Sequence, residues 1–355
     1  MRTFVSLPFE KLDELFALIA QKEALYIPVD DASGKADFKR WKKGAVLSSE
    51  LKTVRSAKDF FFPKIETLVH YKLSGKKIEV EDPRTESEDF VVFGVRACDA
   101  ASFAIVDDVY INMQPVDTYY KTRREHGTVV TLACSEPKET CFCKLYGIDA
   151  AEPQGDASAW IADGNVFFRA NTEKGDAFIE IIKSMTSESG ADIVEKQQKA
   201  TREKIDKLPF VDIDLSKFRG ENMLSIFNLP VWENLSEACL GCGTCTYVCP
   251  TCMCFDIRSF DTGNGIRQFR CWDSCMFSDF TKMAAENPRH TQKERFRQRF
   301  MHKLVYYPMD HGGVYSCVGC GRCLESCPIR MNIVKVMKTI NDDARIEKPE
   351  VHDGK

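Results

Sequence analysis

The chain has 355 residues, of which 44% are apolar and 29% charged, and its formal net charge is −4. This composition is typical of a globular protein long enough for two domains, and the slightly acidic balance gives no general case for binding nucleic acid or an anionic membrane. No apolar stretch approaches the roughly 20 residues that span a bilayer, and no secretory signal opens the chain, so we expect a cytoplasmic protein without a membrane span.

Residues 1–222 are predicted to form an α/β domain with a mostly parallel sheet. The predicted elements, in chain order, are a helix over 11–25, a strand over 25–29, a helix over 63–71, a strand over 90–95, helices over 101–110 and 118–126, a strand over 128–133, a hairpin over 160–169, and helices over 174–185 and 193–205. The strands over 90–95 and 128–133 are apolar at consecutive positions, which is typical of parallel strands covered on both faces.

Sixteen cysteines are an unusual number for a chain in a reducing compartment, and they indicate metal or redox chemistry rather than disulfides. Four of them follow the two buried strands: Cys98, Cys134, Cys141 and Cys143. Because ligands in open α/β sheets bind beyond the carboxyl ends of the strands, we expect these thiols to lie together and hypothesise that they hold an iron–sulfur cluster. The alternative is that they are small buried core residues.

Residues 223–345 are organised around two copies of one cysteine run. Each copy has the spacing C-x2-C-x2-C-x3-C-P, which binds 4Fe–4S clusters in bacterial ferredoxins. The copies are Cys239, Cys242, Cys245, Cys249 with Pro250, and Cys317, Cys320, Cys323, Cys327 with Pro328. A structural zinc site is the alternative for one such run, but two complete copies favour a two-cluster, α-helical ferredoxin-like domain.

In two-cluster ferredoxins, the cysteine before the proline ligates the cluster of the other run. The same crossing here predicts two sets of ligands. The first 4Fe–4S cluster is assigned to Cys239, Cys242, Cys245 and Cys327, and the second to Cys317, Cys320, Cys323 and Cys249.

Between the runs lies an insertion, residues 250–316, which carries four further cysteines: Cys252, Cys254, Cys271 and Cys275. A hairpin with strands over 255–260 and 266–271 is predicted to bring these thiols together, and a fourth cluster is a hypothesis. Alternatively, the thiols line the existing clusters or pack in the core. The spacing of Cys245, Cys249 and Cys252 also matches the radical S-adenosylmethionine motif by count, but the ferredoxin run already uses two of those cysteines.

The segment 289–303 is rich in Arg, Lys and His. A nucleic-acid-binding helix is one interpretation, but we favour a helix whose apolar residues face the core while some of its cations lie near the negatively charged clusters. A closing helix is predicted over 331–340, and residues 346–355 are predicted to be a tail.

The whole chain resembles the iron–sulfur beta subunits of cytoplasmic nickel–iron sulfhydrogenases and, similarly, the A subunits of anaerobic sulfite reductases. The residues that carry this resemblance are 96–99 (RACD), 119–121 (YYK), 123–125 (RRE), 141–143 (CFC), 249–252 (CPTC) with Cys254, 272–275 (WDSC) and 317–323 (CVGCGRC). The resemblance implies an electron-transfer subunit that works beside a subunit binding FAD and NAD(P)H. It also implies a terminal partner: a hydrogenase, a sulfite reductase or a heterodisulfide reductase-type enzyme.

We therefore expect an iron–sulfur electron-transfer subunit with no catalytic residues of its own, holding two 4Fe–4S clusters and, by hypothesis, three or four. The chain has no G-x-G-x-x-G signal for a dinucleotide, so the flavin is expected on a partner. Three alternatives stay open: a self-contained iron–sulfur redox enzyme acting at the N-terminal cysteine set, a zinc-dependent binding module, and the corresponding component of an anaerobic sulfite reductase.

Overall fold

A computed structural model gives the fold of the protein and describes residues 3–86 and 88–346. The strands are β1 (Phe4–Pro8), β2 (Ala24–Asp30), β3 (Ala36–Arg40), β4 (Ile65–Ser74), β5 (Lys77–Glu81), β6 (Phe90–Val95), β7 (Gly127–Leu132), β8 (Ala157–Ala162), β9 (Asn165–Ala170), β10 (Ser187–Ser189), β11 (Phe255–Asp261) and β12 (Gly265–Trp272).

The α-helices are α1 (Leu12–Ala20), α2 (Lys58–Phe61), α3 (Ala97–Asp107), α4 (Thr118–His126), α5 (Glu173–Ile182), α6 (Asp192–Ile205), α7 (Met223–Phe227), α8 (Val231–Glu237), α9 (Thr244–Tyr247), α10 (Gln292–Met301), α11 (Tyr307–Asp310), α12 (Arg322–Ser326) and α13 (Ile333–Asn341). None of the helices in the described ranges combines the length and the apolar character needed to cross a bilayer. All but the first residue of the predicted tail, 346–355, lies outside the described residues.

The N-terminal residues build an eight-stranded sheet in the order β10-β1-β9-β8-β7-β6-β2-β3. The four central strands β2, β6, β7 and β8 are parallel to one another, and every other neighbouring pair is antiparallel. The prediction of a mostly parallel sheet was therefore wrong, and the sheet is mixed. Hairpins after β2 and β8 account for two of the four antiparallel pairs. The N-terminal strand β1 accounts for the other two, because it pairs antiparallel with both β9 and β10.

The parallel centre is covered on both faces, as the consecutive apolar residues predict. Val91, Val92 and Phe93 in β6 have no exposed surface. Phe93 packs in a core with α1 and α5, whereas Val92 packs in a second core with side chains of α2, α3 and α4. Since β6 and β7 run parallel, their carboxyl ends lie at one edge of the sheet, and Cys98 and Cys134 follow at that edge.

A second sheet has the order β11-β12-β4-β5 and combines strands more than 170 residues apart in sequence. The hairpin of β11 and β12 lies where the sequence predicts it. The helix predicted over 63–71 was wrong, because this segment is β4. Ile65, Thr67, Val69, Tyr71 and Leu73 alternate along it, and the pairing of β4 with β12 decides its conformation.

One face of this second sheet carries a row of exposed apolar side chains. Tyr71 and Leu73 of β4 pair with Val80 and Ile78 of β5, and Tyr71 also pairs with Ile266 of β12. Directly paired residues point to the same face. These five side chains, which we call the exposed apolar row, are 37–66% exposed.

The C-terminal residues form a helical body whose core includes Trp232, Phe296, Phe300, Val336 and Ile340. Cysteines of both runs pack against this core. The capping box of Thr291 and Glu294 fixes the start of α10, the helix that the basic segment predicts. The body is therefore a helical frame around the cysteine loops.

A buried ion pair joins this helical body to the α/β part. The guanidinium of Arg322, which begins α12, donates two hydrogen bonds to the carboxylate of Asp99 in α3, and both side chains are at most 2% exposed. Lys52 adds a second link by donating to the Cys320 carbonyl at 2.8 Å and to Glu325 at 2.7 Å. The two parts of the chain thus meet around the second cysteine run.

Candidate iron–sulfur sites

The first predicted set of ligands lines one small cavity, which we call site one. Cys239, Cys242, Cys245 and Cys327 all border this cavity of about 30 Å³, together with apolar side chains of the helical core. Cys245 lies on the short helix α9, and Cys327 directly follows α12, so the fourth thiol comes from the other run. Cys242 is exposed, which places this edge of site one at the protein surface.

Arg299 in α10 is a buried cation beside site one. Its Nε donates to the Cys245 sulfur at 2.9 Å, and its Nη2 donates to the Cys245 carbonyl at 2.8 Å. Its Nη1 is buried without a hydrogen-bond partner among the described residues. A buried N–H left without a partner is costly, so this nitrogen fits an acceptor such as a cluster sulfide. Gln292 adds another N–H donor, 3.6 Å from the Cys239 sulfur.

The second predicted set also comes together, and we call it site two. The thiol of Cys323 lies within electrostatic range of Cys317, Cys320 and Cys249, so both runs contribute here as well. Burial raises the pKa of the Cys320 thiol to about 11, although Arg322 opposes the shift. A buried thiol of this kind stays protonated unless a metal displaces the proton.

Two glycines allow the loop of site two to lie against the α/β part. Gly319 has φ 60° and Gly321 has φ 78°, both in the left-handed region. A Cβ atom at Gly319 would collide with the backbone of Phe142, and one at Gly321 with the backbone of Thr140. Both positions therefore require glycine for two reasons: the left-handed backbone conformation and the lack of room for a Cβ atom.

The N-terminal cysteines line a third cavity, site three. Cys98, Cys134, Cys141 and Cys143 are all buried and border the same space of about 20 Å³. Burial raises the pKa values of Cys98 and Cys134, and that of Cys143 to about 12. Cys320 of site two borders this cavity too, so sites two and three are neighbours where the helical body meets the α/β part.

The donor chemistry of these sites fits 4Fe–4S clusters. Each site offers four cysteine sulfurs, the ligand set that a cubane cluster takes, and all sixteen cysteines are free thiols. In the described ranges, no group of three or more His, Cys, Asp or Glu side chains is arranged to hold a lone metal ion. Instead, the four thiols of site one border one cavity, and the four thiols of site three border another.

Comparison with known proteins agrees with this geometry. Residues 238–331 match the model of the 4Fe–4S dicluster domain. The chain is also 34% identical over 267 residues to the sulfhydrogenase 2 subunit beta of Pyrococcus furiosus, in an alignment that covers 71% of this chain and 74% of that protein. The chain belongs to the sulfhydrogenase beta-subunit family. The dicluster domain makes 4Fe–4S clusters the cofactors of this family member.

The remaining four cysteines of this sulfhydrogenase-family chain do not share one environment. Cys275 is the main influence on the pKa of the Cys254 thiol, which it lowers, whereas Cys252 is the main influence on the pKa of the Cys249 thiol. Cys271 lies on β12 opposite Asp256, and the charged groups that act on its thiol are Arg258, Asp256 and Asp273. The fourth cluster that the sequence suggests stays a prediction, and its four thiols are unequally placed.

Several buried cations lie near the cysteines, and the sequence predicted only some of them. The basic segment predicts cations near the clusters, and Arg299 and Lys303 lie there, each 3% exposed. Burial opposes the charged form of Lys303, but Cys249 and Cys252 outweigh it and raise the pKa of this ammonium. Lys52 and Lys58 were missed, because they lie about 190 or more residues from the cysteines whose carbonyls they bind, and no local pattern marks them.

Proposed function

We propose that this protein is an electron-transfer subunit that relays single electrons between a partner subunit binding flavin and NAD(P)H and a terminal redox enzyme of the hydrogenase or heterodisulfide reductase type. The observation that carries this proposal is the contiguity of the three cysteine sites. Cys320 belongs to site two and borders site three, and Arg299 contacts Cys245 of site one while lying within electrostatic range of Cys323 of site two.

When bound, 4Fe–4S clusters supply acceptance and release of one electron at a time. The residues of this chain set where that chemistry takes place. The cysteines of site one, with Cys242 at the surface, lie at one end of the series, and the buried cysteines of site three lie at the other. Burial in apolar surroundings excludes water, and N–H donors such as Arg299 Nε stabilise negative charge on sulfur.

The exposed apolar row supports a role inside a complex. Five apolar side chains on one sheet face, 37–66% exposed, form the kind of patch that marks a protein-interaction surface. The relative in Pyrococcus furiosus is named as a subunit of a sulfhydrogenase, which favours a hydrogenase-type partner for this chain. Neighbouring genes that encode a nickel-binding large subunit would agree with this partner, whereas genes for a sirohaem protein would contradict it.

Iron and acid-labile sulfide analysis of the anaerobically purified chain tests the proposal. We expect about 12 iron atoms per chain for sites one to three, at four irons each, and about 16 if a fourth cluster is present. The chain purified alone should carry no flavin. A content of about 8 iron atoms per chain would contradict a cluster at site three. A colourless, iron-free protein, or substantial tightly bound FAD, would overturn the proposed function.

Single variants assign the irons to the sites. Cys242→Ser, Cys317→Ser and Cys98→Ser should each remove or perturb the electron paramagnetic resonance signal of one site. Ser135, which directly follows Cys134, is the control position, and Ser135→Ala should leave the iron content and all signals unchanged. Identical spectra for all three cysteine variants and the wild-type protein would contradict the assigned ligands.

A further inference from the structure

We propose that Lys303 is a positioning residue for site two and that it acts on this site through the hydroxyl group of Thr251. That hydroxyl group lies beside Cys249, the ligand that the first cysteine run is assigned to supply to site two. The inference rests on the proposed function, because it concerns the transfer of an electron onto a cluster at this site. Lys303 has two roles: it holds the sulfur of Cys249 in place, and its positive charge makes reduction of the cluster more favourable.

Lys303 lies in a π-helical turn, His302–Tyr306, which joins α10 to α11. Such turns are rare and are frequent at functional sites. The Lys303 residue is 3% exposed, and its Nζ donates to the Ser316 carbonyl at 3.0 Å, while its own carbonyl accepts from the Ser316 backbone N–H at 3.1 Å. Because Ser316 directly precedes Cys317, Lys303 fixes the position at which the second cysteine run begins.

The hydroxyl group of Thr251 connects this lysine to the sulfur of Cys249. Thr251 is 1% exposed, and its hydroxyl oxygen accepts from Lys303 Nζ at 2.7 Å and lies 3.3 Å from the Cys249 sulfur. The hydroxyl group has one proton and two acceptors within reach, the Ser316 carbonyl at 2.9 Å and the Cys249 sulfur. Since Lys303 also donates to that carbonyl, the carbonyl keeps a donor when the hydroxyl group turns toward a thiolate at Cys249. Lys303 thus leaves the Thr251 proton available to the ligand sulfur.

No carboxylate compensates the charge of Lys303. Its Nζ donates to neutral oxygens, and no Asp or Glu in the described ranges forms an ion pair with it. The groups within electrostatic range of this ammonium include the thiols of Cys249, Cys252 and Cys317. A buried ammonium needs negative charge nearby, and thiolates bound to a cluster would supply it.

Two other buried cations near site two differ from Lys303 in this respect. Arg322 is paired with Asp99, and Lys52 is paired with Glu325, so a carboxylate compensates each of these charges. Lys303 therefore adds uncompensated positive charge beside the ligands of site two. Reduction adds one negative charge to a cluster, so this charge favours the reduced state. It does so at the site that adjoins both site one and site three.

An anaerobic redox titration of the full chain, followed by electron paramagnetic resonance, tests the proposal. The signal of site two is the one that Cys317→Ser removes or perturbs. Lys303→Met removes the charge and the hydrogen bonds of the ammonium group, and it should make reduction of site two about tenfold less favourable. For a one-electron couple, this corresponds to a potential about 59 mV more negative. The iron content should stay at the wild-type level.

Thr251→Val separates the hydrogen bond from the charge, because valine has a shape similar to that of threonine but no hydroxyl group. We expect a shift of the site-two potential in the same direction, with reduction about threefold less favourable. This variant also decides the proposal if Lys303→Met loses the iron of site two. A shifted potential in Thr251→Val would then support the role of Lys303, and a wild-type potential would overturn it.

Lys174→Met is the matched control. Lys174 is a half-buried residue of α5 whose Nζ also donates to two backbone carbonyls, those of Arg124 at 2.7 Å and Gly127 at 3.0 Å. The charged group that acts on it most strongly is Asp156, not a cysteine. Its replacement should leave the potential of site two unchanged.

Two results would overturn this inference: a wild-type potential of site two in both Lys303→Met and Thr251→Val, or an equal shift in Lys174→Met. The proposed function is tested separately by the iron content of the wild-type chain. If the wild-type chain holds its clusters and the potential of site two does not respond to Lys303→Met or Thr251→Val, the role of Lys303 fails and the electron-transfer function stands.

Discussion

At the scale of single residues, the positions of the buried cations are as informative as the positions of the cysteines. Arg299 is 3% exposed, and its guanidinium donates a hydrogen bond to the sulfur of Cys245. A buried cation is stabilised by negative charge nearby, which cluster-bound thiolates would supply. Burial opposes its charge, but the surrounding cysteines, Cys245 first among them, outweigh this and hold the pKa of Arg299 well above its usual range.

Replacing Arg299 should shift the reduction potential of site one. Arg299→Met removes a positive charge and the hydrogen bond to the Cys245 sulfur, so that reduction, which adds negative charge, becomes less favourable. A charge-assisted hydrogen bond is worth about 1.5–3 kcal/mol, so we expect a potential about 60–130 mV more negative for this one-electron couple. An anaerobic redox titration followed by electron paramagnetic resonance measures the shift.

Arg297 supplies the matched control on the same helix. Its guanidinium lies 3.4 Å from the centre of the Phe227 ring and donates to the carbonyl of that residue, away from the cysteines. Arg297→Met should leave the potential of site one within a few millivolts, and Arg299→Lys should restore part of the shift. An equal shift in both methionine variants would mean that net charge, not the contact with sulfur, sets the potential.

At the scale of elements, the loop of the second cysteine run depends on its glycines. Gly319 and Gly321 are in the left-handed region and lie directly against the backbone of residues 140–143, a segment that also carries two cysteines of site three. The loop therefore holds site two and forms one wall of site three at the same time.

Gly321→Ala should weaken both sites. The added methyl group meets the backbone of Thr140 and is in a left-handed conformation, so we expect a destabilisation of about 1–3 kcal/mol and a loss of iron from sites two and three. The urea midpoint and the iron content of the anaerobic protein measure these effects. Gly313→Ala is the matched control, because Gly313 has φ 85° but open space around it, so it should lose about 1 kcal/mol and no iron. Equal iron loss in both variants would contradict the role of the close contact.

At the scale of the whole molecule, the second cysteine run joins the two parts of the chain. The buried pair of Asp99 and Arg322 connects α3, which carries Cys98, to α12, which carries Cys323. Asp99 therefore has a structural role in the interface. The guanidinium of Arg322 also donates to the carbonyl of Thr53 at 2.9 Å, so three segments meet at one side chain.

Asp99→Ala should be strongly destabilising, because it leaves the guanidinium of Arg322 buried without its carboxylate. Breaking a buried pair in this way costs about 3–5 kcal/mol. The double variant D99A/R322M should recover most of the loss, since both charges are removed. Urea unfolding of the anaerobic protein, followed by circular dichroism, measures both. Glu180→Ala, in an exposed pair with Lys183 whose side chains are 71% and 70% exposed, is the control and should change stability by less than about 1 kcal/mol. A cost for Asp99→Ala as small as this would show that the pair does not hold the interface.

Local signals in the sequence were enough to identify the cysteine runs and to predict the buried strands of the α/β part. The spacing of the cysteines and the runs of apolar residues are both patterns of neighbouring positions in the sequence. The spacing predicted how the cysteines are grouped in sites one and two, and the apolar runs predicted the strands over 90–95 and 128–133. The position of the four N-terminal thiols beyond the carboxyl ends of those strands followed from the same signals. The basic helix is a further case, because its cations lie beside the cysteines, as its pattern indicates.

Which distant segments meet became clear only from the three-dimensional fold. The pairing of β4 with β12 turned a predicted helix into a strand, and hairpins at both sides of the parallel strands made the sheet mixed. Lys58 and Lys52 reach cysteine carbonyls about 190 or more residues away in the sequence. Local periodicity cannot carry such information, because strand pairing and burial are set by contacts between residues far apart in the chain.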